Sequence, residues 1–147
     1  MTLEILLSCM HQKDHSLISK ANITGNVLMV NQCDGSSDIR FPTEKGEGRI
    51  ISTTQRGLTK SRNLAILEST ADICLLCDDD EVFESNYEDI ILRAYEELPQ
   101  ADVIIFKMTN RTPSFPDKVM RLRFPKTAKA FLHAASHGGC GRSLQTI

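Results

Sequence analysis

Four consecutive acids, Asp78-Asp79-Asp80-Glu81, follow the apolar run Ile73-Cys74-Leu75-Leu76-Cys77. The run has the length and residue type of a buried strand. Carboxylates cannot enter the core unpaired without a large desolvation cost. They are expected just past the strand's carboxyl end, where open α/β sheets bind their ligands. Carboxylates converging there suit a hard divalent cation, Mn²⁺ or Mg²⁺, which in turn can hold a diphosphate. The plain alternative is a solvated acidic turn leading into the next helix. A second constellation, Arg56-Gly57-Leu58-Thr59-Lys60-Ser61-Arg62-Asn63, opens a helix expected to run from residue 58 or 59 to 69. Gly57 stands before its start, where a tight turn or a close ligand approach wants no side chain. Helix N-termini favour phosphate, and Arg62 lies one turn in.

These groups need a scaffold to bring them together. Residues 3–7 read as a first strand ending in Ser8-Cys9-Met10, and Asp14 is placed to cap a short helix over 15–21. Residues 27–30 read as a second strand, running into a polar, turn-rich segment from Asn31 to Asp38 that contains Asp34. Residues 41–48 read as a surface loop, 49–53 as a third strand and 73–77 as a fourth. Ser85-Asn86-Tyr87-Glu88 has the capping-box pattern, and Tyr87, Ile90, Ile91, Ala94, Tyr95 and Leu98 follow at helical spacing up to Pro99. Further strands are expected at 103–108 and 119–124, the latter with Arg121 and Arg123 on one face, and a last helix at 128–135. Alternating strands and helices predict an α/β fold: a three-layer, mostly parallel sheet with helices on both faces. Right-handed crossovers would carry the ends of strands one, two and four to one edge. Ser8, Cys9, Asp34 and Asp78 to Asp80 would then line one cleft.

The chain has 147 residues, enough for one domain with a single core. A net charge of −2 gives no case for nucleic acid, and no apolar run is long enough to span a bilayer. The first residues lack a signal-peptide pattern, so the expected compartment is the cytoplasm. Five cysteines, an odd number without a secretory signal, argue against a disulfide framework. Cys74 and Cys77 would point to opposite faces of a strand and are read as small buried apolar residues, not as a zinc pair. His11/His15 and His133/His137 have i, i+4 spacing but no evident third ligand, and are read as exposed.

In combination, the Gly57-to-Asn63 helix start, a helix, a buried strand and then Asp78-Asp79-Asp80 resemble the nucleotide-sugar half of family 2 glycosyltransferases, which have a GT-A (Rossmann-like) fold with a DXD motif. The resemblance implies a domain over 1–139 with a tail at 140–147, binding a nucleotide-sugar donor, most readily a UDP-sugar. It implies that Asp78 binds the ribose or assists the metal, that Asp80 is the direct metal ligand, and that Asp79 is the middle of the motif. Arg62 would approach the base or the diphosphate, near Gly57. Ser8, Cys9 and Met10 would pass the base, and Asp34 would contact it. Asn31-Gln32-Cys33 stands where the family usually has a second acid. Inverting transfer also needs a general base. The family supplies it from an acceptor-binding half, whereas this chain has no Asp or Glu after Asp117. The chain therefore reads as truncated, with independent turnover in question and apolar surface left for self-association as a homo-oligomer. The alternative is a non-catalytic nucleotide-binding or assembly module that needs a partner chain. A phospho-acceptor signalling domain would want its acids after the first strand, where Ser8-Cys9 stands.

Overall fold

The computed structural model describes residues 1–106 and the backbone of Thr109–Asn110 and Gln145–Thr146. The expected strand at 119–124, the helix at 128–135, Asp117, His133 and His137 lie outside the described residues.

The chain is an α/β protein built on a five-stranded mixed sheet. Its elements are β1 (Leu3–Met10), α1 (Ser16–Lys20), β2 (Asn26–Gln32), β3 (Ser37–Pro42), β4 (Glu47–Thr53), α2 (Leu58–Glu68), β5 (Ile73–Asp78) and α3 (Tyr87–Glu97), with β6 (Glu81–Val82) between β5 and α3. Across the sheet the order is β3-β4-β2-β1-β5. β4, β2, β1 and β5 are mutually parallel, and β3 runs antiparallel on the outer edge of β4. Two short strands, β7 (Thr109–Asn110) and β8 (Gln145–Thr146), form a second sheet in which β8 pairs with β6.

Strand parity sorts the side chains. The odd positions Leu3, Ile5, Leu7 and Cys9 join Val27, Met29, Ile73 and Cys77 in one apolar cluster with Leu17 and Ile18 of α1 and Tyr87 and Ile91 of α3. The even positions Leu6, Leu28 and Val30 form a second cluster with Ala65 of α2. β1 is therefore buried on both sides, and its run of apolar residues suits an interior strand, between β2 and β5.

Four local expectations differ from the structure. Residues 37–42 form β3 instead of a loop. Their polar sequence hides the strand, because β3 is an exposed edge held by ion pairs from Arg49 to Asp38 (2.7 Å) and Arg40 to Glu47 (2.8 Å). Gly48 of β4 makes room for it, since a Cβ there would collide with the Phe41 ring. Residues 103–106 carry no strand, although Phe106 packs on the first cluster. Asn86, not Ser85, is the N-cap of α3, with no side-chain cap bond, so the capping box is not made. Glu88 instead accepts from the Tyr87 hydroxyl (3.0 Å) and the Thr24 hydroxyl (3.2 Å). Lastly, Cys77 is buried as expected in the cluster with α1 and α3, but Cys74, on the opposite face of the edge strand β5 and in neither cluster, is exposed.

Candidate functional site

The order of the parallel strands reverses once. From β1 the chain moves outward through β2 to β4, then returns across β1 to place β5 on its other side. The gap between the carboxyl ends of β1 and β5 is the topological switch point, the place where such sheets bind ligands. Ser8 and Asp78 are register partners there.

The even parity that buries Leu6, Leu28 and Leu76 toward α2 carries forward to Ser8, Gln32 and Asp78 at the strand ends. Each meets a residue of the α2 entry. Ser61 Oγ donates to Ser8 Oγ at 2.7 Å, and both serines are buried. The Gly57 N–H donates to Gln32 Oε1 at 2.6 Å. Arg62 Nη2 donates to Asp78 Oδ1 at 2.7 Å. Gly57 has φ 121°, a conformation that side chains rarely adopt. It turns the chain from β4 into α2 and leaves the helix N-terminus over the ends of the parallel strands.

Arg62 is 8% exposed. Its Nε is buried with no hydrogen-bond partner among the described residues, and so is Glu81 Oε2. Buried polar atoms are nearly always paired, so two unpaired ones of opposite charge near one carboxylate mark this corner as unusual. Burial, then the charges of Asp78 and Asp80, push the Glu81 carboxyl up to about 7. Asp79 and Asp80 are exposed. Among the described residues, no group of three or more His, Cys, Asp or Glu side chains is placed to hold a metal ion.

The other expected residues divide. Met10 is 46% exposed at the end of β1. Cys9 points to the α1 and α3 side and is buried, and burial pushes its thiol up to about 12, with the Asp79 charge adding to this. Asp34 follows β2 and is held by Arg56, whose Nη2 donates to Asp34 Oδ1 at 2.6 Å. The Gly57 amide, expected to be open to a phosphate, is already bonded to Gln32. Ser8, Met10, Asp34, Gly57, Arg62, Asp78 and Asp80 thus all lie along the carboxyl ends of the parallel strands, with Cys9 behind them in the core. Reading the residues one segment at a time gave no role to Gln32, none of their own to Arg56 and Ser61 within the helix-start motif, and placed Glu81 only as one of four consecutive acids. The first could have been found by extending the β2 parity two residues past Val30.

Two concave regions lie elsewhere. One, about 310 Å³, is at the amino ends of β1, β2 and β4, lined by Glu4, Asn26, Arg40, Glu47, Arg49 and Glu68. The other, about 340 Å³, lies beside the stacked His15 and Phe41 rings. Among the described residues no helix is long and apolar enough to cross a membrane. No protein-family model, curated protein or solved structure matches the chain.

Proposed function

We propose that this chain is a donor-binding domain of glycosyltransferase type, a three-layer GT-A arrangement that takes a nucleoside diphosphate sugar, UDP-sugars foremost, with Mn²⁺ or Mg²⁺. The observation that carries this reading is Arg62 Nε, without a partner among the described residues, buried at the switch point and one turn inside α2. A buried guanidinium with a free N–H calls for an anion, and a phosphate oxygen meets both its charge and its geometry. Asp78, which accepts from Nη2 of the same guanidinium, keeps that group in place.

Asp78 and Asp80 are hard oxygen donors at the same strand end. Magnesium-like ions are commonly held by one or two carboxylates plus substrate phosphates, not by a closed protein cage. Such a cation would supply Lewis-acid neutralisation of the departing diphosphate. The protein's part is to fix Arg62 against Asp78, to seal the floor with the Ser8–Ser61 pair, and to leave Met10 exposed beside the base position.

A second reading, a nucleotide-binding or assembly module that relies on a partner chain for catalysis, is favoured by the acids of the α3 region. Glu88 is engaged with Thr24 ahead of β2, while Glu84, Asp89, Glu96 and Glu97 are exposed, Asp89, Glu96 and Glu97 on α3. None is presented at the switch point to deprotonate an acceptor. Calorimetry with UDP and Mn²⁺ tests donor binding, and release of free sugar from UDP-sugars tests turnover. Binding without release supports the module. Failure to bind any nucleoside diphosphate rejects both readings. Affinity unchanged in an Asp78→Ala, Asp80→Ala double variant removes the metal site.

A further inference from the structure

We propose that Arg56 is a positioning residue of the donor site, a strut that locks the turn after β2 to the turn after β4 and so fixes Asp34 for reading a nucleobase. The proposal rests on the donor-binding reading above.

The guanidinium is unusually occupied. Nη1 donates to the carbonyl oxygens of Cys33 at 2.8 Å, Thr54 at 3.0 Å and Thr53 at 3.2 Å. Nη2 donates to Asp34 Oδ1 at 2.6 Å. The main chain closes the same joint, with the Cys33 N–H donating to Thr53 O at 3.0 Å. The Asp34 side chain is 92% exposed, and an ion pair of that exposure adds little to stability. The three carbonyl contacts give the arginine its other role. They hold its planar fork still before a ligand arrives, and the fork then holds Asp34. Ordering a recognition group in advance lowers the entropy cost of binding.

The arrangement also sets what Asp34 can recognise. Oδ1 is engaged, so Oδ2 is left as the acceptor, with the guanidinium edge beside it. An acceptor next to a donor complements a ring N–H next to a carbonyl, the edge shared by uracil and guanine. Met10, exposed and in register with Gln32, offers apolar surface for the ring face. Lysine at position 56 would keep the charge but could not fork between the carbonyls and the carboxylate.

The test titrates the whole chain, with Mn²⁺ present, against UDP, GDP, CDP, ADP and inorganic pyrophosphate, for the wild type, Arg56→Gln and Arg56→Lys. The wild type is expected to bind UDP or GDP about tenfold or more tighter than CDP and ADP, the scale of one charge-assisted hydrogen bond. Which of the two it prefers separates uracil from guanine. Both variants are expected to lose that preference while keeping wild-type affinity for pyrophosphate. A purely structural role would weaken all five ligands alike, and that result overturns the proposal. Preference retained in Arg56→Gln also overturns it, as does a wild type that binds all four nucleotides equally, while leaving donor binding intact. A wild type that binds none of the five overturns the donor reading and this proposal together.

Discussion

Arg49 and Arg62 both carry guanidinium groups that are largely buried, with side chains 19% and 10% exposed. They stand at different ends of the sheet and use their nitrogens differently. Arg49, on β4, donates Nε and Nη2 to the two oxygens of Asp38 at 2.9 and 2.7 Å, and its Nη1 lies 2.9 Å from Glu68 Oε2. All three nitrogens are engaged. Arg62 uses Nη2 on Asp78 and keeps a buried Nε without a partner among the described residues. A saturated guanidinium is a structural rivet, here pinning the β3 edge and the end of α2. An unsaturated one in a buried corner costs stability until something fills it, which is the signature of a binding group. The amino-end cavity is lined by charges that already have partners. The carboxyl end shows fewer obvious walls but has polar atoms still to be satisfied.

The comparison can be broken most directly by exchanging each arginine for methionine. Arg62→Met should lower UDP–Mn²⁺ affinity about a hundredfold, the scale of a charge-assisted bond to phosphate inside a partly buried site. Arg49→Met should leave that affinity unchanged in the same calorimeter. Equal losses in both variants would erase the distinction. In stability the order reverses. Arg49→Met is expected to cost about 1 kcal/mol in urea unfolding, because its partners are half exposed. An Arg62→Met, Asp78→Asn double variant should be at least as stable as the wild type, since it removes a partly buried charge pair together with an unsatisfied donor.

A second contrast concerns pH. The Glu81 carboxyl is raised in the fold to about 7, against an ordinary value of 4.5. At this group the folded state therefore binds more protons than the unfolded state between those values, and its contribution to stability falls as pH rises through that window. With divalent ions removed by chelation, Glu81→Gln should flatten the pH 5–8 slope of the thermal midpoint. It should also gain on the order of 1 kcal/mol at pH 8, after discounting for partial exposure. An unchanged slope would show that Glu81 is paired in solution. An effect no larger than these is expected at Gly57. Its φ of 121° makes Gly57→Ala strained, but no described atom lies within 4 Å of an added Cβ. The cost should be the backbone term alone, about 1 kcal/mol by urea unfolding. A loss several times larger would mean that the β4-to-α2 turn meets something outside the described residues.

The legible parts of this protein were those written in local pattern. The buried strands β1, β2 and β5 and the helix α2 declared themselves by apolar runs and by Gly57 before the helix. The placement of the acids past a strand's carboxyl end followed from the cost of burying charge. β3 was not legible, because an exposed edge strand needs no apolar alternation and is held by its antiparallel backbone ladder with β4. Nor did the last eight residues carry any pattern that marks Gln145–Thr146 as a partner of Glu81–Val82. The Cys74 misreading has the same origin. An apolar strand reads as buried whether it sits in the middle of a sheet or, like β5, at its edge.

Sequence alone determined which residues could do chemistry and on which side of their strands they would stand, since alternation and desolvation act over a few neighbouring residues. Only the tertiary structure decided that β5 lies beside β1. That choice makes the switch point and sets Asp78 against Arg62, while the pairing of β4 with β2 engages the Gly57 amide with Gln32. Those pairings join residues 16 to 25 positions apart through the order of strands. Strand order is settled by the packing of the whole sheet, and no local stretch of sequence encodes it.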